Sequence, residues 1–413
     1  MSKNILSYHH NSSSFTLIEL LISISILAIL MSITAIAMNP SEMIKRSRDT
    51  KRFNDISNLQ MFLTMARSEG LLNSTICDGT KIYVSLPNSI SLSNTNLPAG
   101  VSWVQVSEDN LRKSNGTGWI PINLSGSYTS GFSMASLPVD PQNTLNDNLY
   151  YTFYCNPQQE YILTSYMESK TFGPKGNETS KTNKDGGPDP YLYEVGSNLF
   201  ISPLKPVGSW SFDEGTGTIA NDSSGNNNNG TLYNGPIWTD GQVNKTLSFD
   251  GVDDYVDCGN DESLNITDAI TIEGWFQSNE GTNYGMIISK MTGSRASGYW
   301  MSYDNGLYIF NVGKGSDYQV WGASASAGAE WTHITGTFTK DGQIKIYKNG
   351  VLVQSQNVTG GIISLPTTKL VMAAYKDGLT GGPWAFNGLI DEVRIYNRAL
   401  SAEEIKRHYE MSK

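Results

Sequence analysis

Three cysteines in 413 residues are too few for a disulfide scaffold, and Cys77, Cys155 and Cys258 show no C-x-x-C spacing that would hold a metal. At most one bridge can form within the chain. Positive charge is short as well: 29 Lys and Arg against 39 Asp and Glu leave a net charge of -10, so no nucleic acid partner is expected. The chain has no P-loop, no dinucleotide fingerprint and no G-x-S-x-G elbow, which removes the common nucleotide-binding and serine-hydrolase signatures. What is present is 40 Gly, 21 Tyr and only 16% charged residues, the make-up of folded, turn-rich, β-leaning protein. The length favours two or three domains.

Between Phe15 and Met38 the chain reads FTLIELLISISILAILMSITAIAM, with Glu19 as its single charge. That run is long enough to cross a bilayer as a helix. A secretory signal peptide would have a shorter apolar region and a small-residue cleavage site, whereas here the run leads into another helix. A carboxylate inside lipid is costly, so Glu19 is either the mark of a specific partner or a tolerated polar residue. The segment S-F-T-L-I-E-L, Ser14 to Leu20, resembles the signal of type IV pilins and type II secretion pseudopilins. The resemblance implies that a prepilin peptidase removes residues 1–14 by cutting between Ser14 and Phe15, and that the new N-terminus is methylated. It also implies assembly with other pilin subunits on an inner-membrane platform, Glu19 pairing with a neighbour's terminal amine so that each charge offsets the other's desolvation. The family favours Gly where this chain has Ser14. Lys3 is the leader's only Lys or Arg, while Lys45, Arg46, Arg48, Lys51 and Arg52 follow the apolar run, against the usual inside bias of positive charge.

Pro40 restarts a helix, and the stretch up to Gly70 reads as its amphipathic continuation. Phe53, Ile56, Leu59, Leu63 and Ala66 recur at helical spacing and form a stripe for a small sheet. The runs KIYVSL, SWVQV, GWIPI, NLYYTFYC and EYILTSYM follow between Ser, Asn and Gly turns, so residues 39–200 comprise a long helix and a small α+β head. This layout, with LPVDPQN from Leu137 ahead of YYTFYC, is again similar to the pseudopilins. The resemblance implies an exported head, in which Cys77 and Cys155 are expected to pair. The segment from Lys184 to Leu199 closes the head, and within it Asp185 and Asp189 bracket two glycines and a proline. It is either a plain polar turn or a loop that wraps a hard cation with oxygens. Similarity to pseudopilins with a calcium loop at this place makes calcium the cation expected there. Residues 201–207, with Pro203 and Pro206, read as a short stiff linker.

From Gly208 onward strands dominate: AITIEGWFQS sets Ile270, Ile272 and Phe276 against Thr271, Glu273 and Trp275, the alternation of a strand with one buried face. Asn305-Gly306 and Asn349-Gly350 are two-residue hairpin signals. About a dozen strands in this length suggest a jelly-roll sandwich, closed by a short helix whose capping box is Ser401 and Glu404. The words WSFDE from Trp210, DSSGNNNNGTL from Asp222, LSFDGVDDYV from Leu247, YKNG from Tyr347 and GLIDEVRIYNRALS from Gly388 resemble the laminin-G-like domains of the concanavalin A-like superfamily. Such domains bind carbohydrate or protein and often hold a structural calcium ion. Calcium needs six to eight oxygens, and Asp213, Asn228 and Asp391 lie in the family words that join the first and last strands. The alternative is that Asp213 and Asp391 cap turns. A glycan platform needs aromatic faces; of Trp300, Trp321, Tyr375 and Trp384, Trp384 in the GGPWAF loop is the one expected to be exposed.

Paired carboxylates for glycoside hydrolysis are not evident, since Glu273 is the only strand candidate and no E-x-D-x-E accompanies it. A non-enzymatic role is expected. The anticipated architecture is an N-terminal transmembrane α-helix over residues 15–38, an α+β pilin head, and an all-β jelly-roll sandwich over 208–413. The chain is expected to be a single-pass membrane protein that becomes an extracytoplasmic filament subunit. Its sandwich would bind a surface glycan or protein in adhesion, or ornament a pseudopilin of a type II secretion or DNA-uptake system. The sandwich is also expected to fold without the head.

Overall fold

The computed structural model describes residues 16–413, apart from 127, 129–130, 175–178, 280–283, 292–295, 316–319, 329, 364–366 and 376–383. Ser14 and Phe15 lie outside the described residues. An apolar helix α1, Leu17–Met38, is followed by α2, Pro40–Ser68. Asn39 separates them with φ 40°, and its side chain accepts from the Glu42 N–H as the cap of α2. Pro40 opens α2, where its missing N–H leaves no bond unmade. Counting described residues alone, no helix is long and apolar enough to cross a membrane. The α1 backbone runs 22 residues, about 33 Å at the helical rise.

The stripe predicted on α2 packs as its spacing requires: Ile56, Leu59, Leu63 and Ala66 are buried in the head core. Phe53 is part-buried and meets Phe172 and Tyr193 edge-on. Five strands form the head sheet: β1 (Lys81–Pro87), β2 (Ser102–Val106), β3 (Tyr151–Cys155), β4 (Tyr161–Tyr166) and β5 (Leu192–Gly196), in the order β2-β1-β3-β4-β5. The first two pair in parallel. GWIPI is not a strand. Trp119, Ile120 and Ile122 enter the core from a turn-rich segment, where Pro121 has no N–H to give a ladder. Conversely Leu192–Gly196, expected as a closing loop, is an edge strand on β4. Cys77 and Cys155 are disulfide-bonded, while Cys258 is free and buried.

The sandwich has two sheets. One runs β9 (Ile237–Asp240), β10 (Lys245–Asp250), β21 (Asn387–Tyr396), β12 (Ala269–Ser278), β17 (Thr332–Thr339), β18 (Gln343–Lys348), β19 (Val351–Asn357), with β6 (Gly208–Trp210) also on β21. The other runs β16 (Val320–Ser326), β15 (Leu307–Gly313), β14 (Gly298–Asp304), β13 (Tyr284–Met291), β20 (Val371–Met372), β11 (Tyr255–Asp257), β8 (Gly230–Tyr233), β7 (Ile219–Ala220). Both Asn-Gly pairs make the predicted hairpins. Asn305 and Gly306 take φ 47° and 82°, and Asn349 and Gly350 take 51° and 77°, as a two-residue turn with positive φ at both positions requires.

Ile270, Ile272 and Phe276 face the inter-sheet core, as the alternation predicts. The other face of β12 is buried too, because α3 (Ala402–Ser412) lies across it and the Trp275 indole donates to Ser412 Oγ at 3.0 Å. The capping box of Ser401 and Glu404 is present. The buried side of α3 also reaches the head, where Met411 clusters with Leu149, Tyr166, Tyr191 and Leu192. Arg407 donates to the Met167 carbonyl at 2.9 Å, and Arg394 to the Tyr191 hydroxyl at 3.0 Å. Residues 201–207 are not a free spacer: Leu204 packs with Ile82, Tyr154 and Ile162 of the head, and Val207 joins the sandwich core. The head thus packs on the buried side of α3 and reaches the outer face of one sandwich sheet.

Candidate ligand and cation sites

On the outer face of the second sheet, Met286, Met291 and Trp300 form a satellite cluster rimmed by part-buried Tyr284, Tyr375 and Trp384. Strand alternation places Trp300 there, since Tyr299 and Met301 on either side point into the core. Trp384 stands edge-on to Tyr284 with centroids 5.3 Å apart, and 4.9 Å from Tyr375. Trp384 is thus half-buried in an aromatic group, Trp300 is buried beneath it, and the side chain of Trp321 lies outside the described residues. Clustered amphipathic rings offer apolar faces beside polar tips, the surface on which a sugar ring stacks.

Asp391 owes its place to a bulge. The register of β12 on β21 shifts between Glu273 and Trp275, and Glu392 takes φ 55° as the extra residue. Asp391 is fully buried; its Oδ2 accepts from the Val243 N–H at 3.0 Å, and its Oδ1 has no partner. Burial, then the charge of Glu392, pushes its carboxyl well above the usual range, and Asp213 adds to the effect. Asp213 itself accepts from the Lys245 N–H at 3.0 Å and from Asn244 Nδ2 at 3.1 Å. A β-carbon built on Gly241 would stand 2.6 Å from Asp391 Oδ2 and 2.7 Å from the Lys245 carbonyl, so oxygens converge on this turn. An unpaired, buried acceptor among converging oxygens fits a hard cation. Asn228 does not join them: its amide donates to the Val207 carbonyl and Ser263, its N–H to Asp222, and it shares no partner with Asp213 or Asp391.

The second predicted pair behaves similarly. Asp185 accepts from the N–H groups of Gly187 and Glu194, each at 2.8 Å, and Asp189 from that of Tyr191 at 2.9 Å. Burial raises Asp185 to about 7. Glu194, on β5, completes the group: its Oε2 accepts from the Asp189 N–H at 3.0 Å, its Oε1 has no partner, and burial followed by Asp189 raises it well above normal. Sequence reading missed Glu194, although its position two residues from buried Leu192 carried the period-2 signal of an inward residue. It also missed Asp250, Asp253 and Asp254, whose ligand atoms lie within 4.8 Å of one another. Three aspartates in five residues were the available signal.

Glu273 is sealed between β12 and α3. It is fully buried, with Oε1 2.9 Å from His408 Nδ1. Burial alone would raise its carboxyl, but the charge of His408 and their hydrogen bond outweigh this and hold it at about 2. At the other end of the chain, Glu19 accepts from the Thr16 N–H and hydroxyl, both at 2.9 Å, and closes the start of α1.

These features describe a stalk helix with an α+β head, joined to a jelly-roll sandwich that carries an aromatic patch and buried acidic turns. Residues 9–35 match the prokaryotic N-terminal methylation motif, and residues 250–406 match the concanavalin A-like lectin/glucanases superfamily. The chain is therefore pilin-like at its N-terminus and lectin-like in its C-terminal domain. No curated protein matches it. Among solved structures, it is similar to the binding domain of Paraclostridial Mosquitocidal Protein 1, at 19% identity and TM-score 0.41, over 49% of this chain and 51% of that one. It is similar also to the botulinum neurotoxin serotype G binding domain, at 18% identity and TM-score 0.40, over 50% of each chain. The serotype D ligand-binding domain in complex with N-acetylneuraminic acid aligns at 17% identity and TM-score 0.41, over 50% of each. The chain spans about half the length of these solved chains.

Proposed function

We propose that this protein is a minor or tip subunit of a type IV filament that displays its sandwich domain to bind a surface glycan or protein. The observation that carries the reading is the presence of a methylation motif and a lectin-like domain in one chain. Prepilin peptidase would cut before Phe15, α1 would hold the subunit in the membrane as a single pass, and Glu19 would exchange Thr16 for a neighbour's terminal amine on assembly. A large second domain is hard to accommodate at every position of a packed filament, which favours a minor place. The aromatic patch at Tyr284, Tyr375 and Trp384 would receive the ligand. Calcium, held by Asp391 and Asp213 or by Asp185, Asp189 and Glu194, would be structural, neutralising buried carboxylates. No enzymatic step is proposed.

Residues 40–413 retain every buried side chain of head and sandwich, so this fragment suits a glycan array. Binding lost in Trp384→Ala, with an unchanged melting temperature, is the expected result. Absence of any glycan or cell-surface binding would move the reading to a pseudopilin of a secretion or DNA-uptake machine with a structural sandwich. The tight joint between sandwich and head is the observation that favours that second reading.

A further inference from the structure

The five basic residues that follow the apolar helix have no part in the function proposed above. The structure divides them. Arg48 turns inward to Glu168 at 2.5 Å, and buried Arg52 meets Asp49 at 2.7 Å and Asp140 and Glu168 at 2.6 Å. Arg46 and Lys51 stay exposed on α2, while Lys45 opens onto a cleft of about 500 Å³ between α2, the head and α3. Lys170 of the head and Lys406 and Lys413 of the C-terminal segment line the same cleft. Among the described residues none of these four lysines is in an ion pair. The lining carries six Lys and Arg against four Asp and Glu, on a chain whose net charge is -10. The local sign is the reverse of the whole.

Position supplies the second half of the inference. Thr171 of the head donates to Glu42 through its N–H at 3.3 Å and its hydroxyl at 3.2 Å, so the base of the head stands against the start of α2. Lys45 lies about 8 Å along α2 from its first residue, Pro40, roughly one Debye length at physiological salt. We infer that this cleft docks anionic phospholipid head groups at the surface of the membrane that α1 enters. The inference rests on the proposed insertion of α1. Lysine ammonium groups are compact phosphate donors, and each one near an anionic surface strengthens attachment roughly fivefold. The subunit would thereby be held with the base of its head against the bilayer until it is assembled.

The test floats fragment 40–413 with phosphatidylcholine vesicles that contain phosphatidylglycerol or lack it. Binding to the anionic vesicles alone, weakened by salt, is expected. The triple variant Lys45→Glu, Lys170→Glu, Lys406→Glu should bind at least tenfold more weakly, while the same charge change outside the cleft, Lys113→Glu, Lys340→Glu, Lys345→Glu, should have a smaller effect. No binding, equal binding to neutral vesicles, or equal loss in both triple variants overturns the inference. No binding together with cross-linking of Lys45 to a second copy in assembled filaments would make the cleft a subunit contact instead. Insertion is read separately: release of the full chain from membranes by alkaline carbonate refutes the role of α1 and leaves the fragment's vesicle result standing.

Discussion

Truncating Met411 perturbs the joint between the two domains at one point. Its side chain is 5% exposed, and its cluster partners Leu149, Tyr166, Tyr191 and Leu192 all belong to the head. Its terminal methyl also rests on Gly173, where a β-carbon would stand 2.2 Å away, so the pocket is shaped to this side chain. Met411→Ala deletes three buried heavy atoms, a transfer loss of about 2.4 kcal/mol at ~0.8 kcal/mol per methylene. The cavity left behind adds to that, and the expected total is about 2–5 kcal/mol. Urea unfolding of fragment 40–413 measures it, and hydrogen exchange locates it. Because every partner is on the head, protection should fall together in β5 and in α3, although they lie in different domains. A loss below about 1 kcal/mol, or a loss of protection confined to α3, would refute the view that α3 fastens the sandwich to the head.

Arg52→Ala leaves Asp49 and Asp140 buried without their cation and should cost about 3–5 kcal/mol in urea unfolding; Arg52→Lys should not restore it, because Arg52 grips Asp140 through both Nε and Nη2. Burial holds the His333 imidazole at about 4 against an ordinary 6.5, with Glu273 opposing and His408 and Arg394 adding to the shift. The unfolded chain then binds the extra proton between those values, so this contribution is full above pH 6.5 and falls on acidification toward 4. His333→Gln should flatten that part of the stability curve. If calcium occupies the Asp391 turn, fragment 40–413 should melt higher in calcium than in chelator, by about 2.7 kcal/mol of stability at a hundredfold excess over Kd. Asp391→Asn should remove the difference, and an unshifted wild-type melt removes calcium from this turn.

Much of the architecture was legible because it follows local periods. The stripe on α2, the two Asn-Gly hairpins, the capping box of α3 and the inward set of β12 all depend on residues within a few positions of one another. Failures came where local patterns compete. GWIPI is apolar enough for a strand, but a proline and surrounding turns let it bury its side chains without a ladder. YLYEVG was hidden behind Asp, Gly and Pro, yet its alternating residues complete the edge of the head sheet. Of the candidate sites, Asp185 and Asp189 were visible as carboxylates around a Gly-Pro turn and Asp213 and Asp391 through the family words that hold them, whereas Glu194 was not singled out, because its place beside Asp189 depends on the pairing of β5 with β4.

What the chain determined on its own is which side of each element differs from the other: an apolar run with one charge, a helical stripe, strands with two unlike faces. Tertiary structure alone decided what covers those faces. Period-2 alternation on β12 marks Thr271, Glu273 and Trp275 as the more polar side, and nothing local says that a helix over a hundred residues later will seal it. The pairing of Glu273 with His408 spans 135 positions, and that of Arg394 with Tyr191 spans 203. The first contact is set by the return of α3 onto its own sandwich, the second by how the two domains dock. A buried carboxylate is stable at Glu273 because the packing of α3 supplies its partner and excludes water.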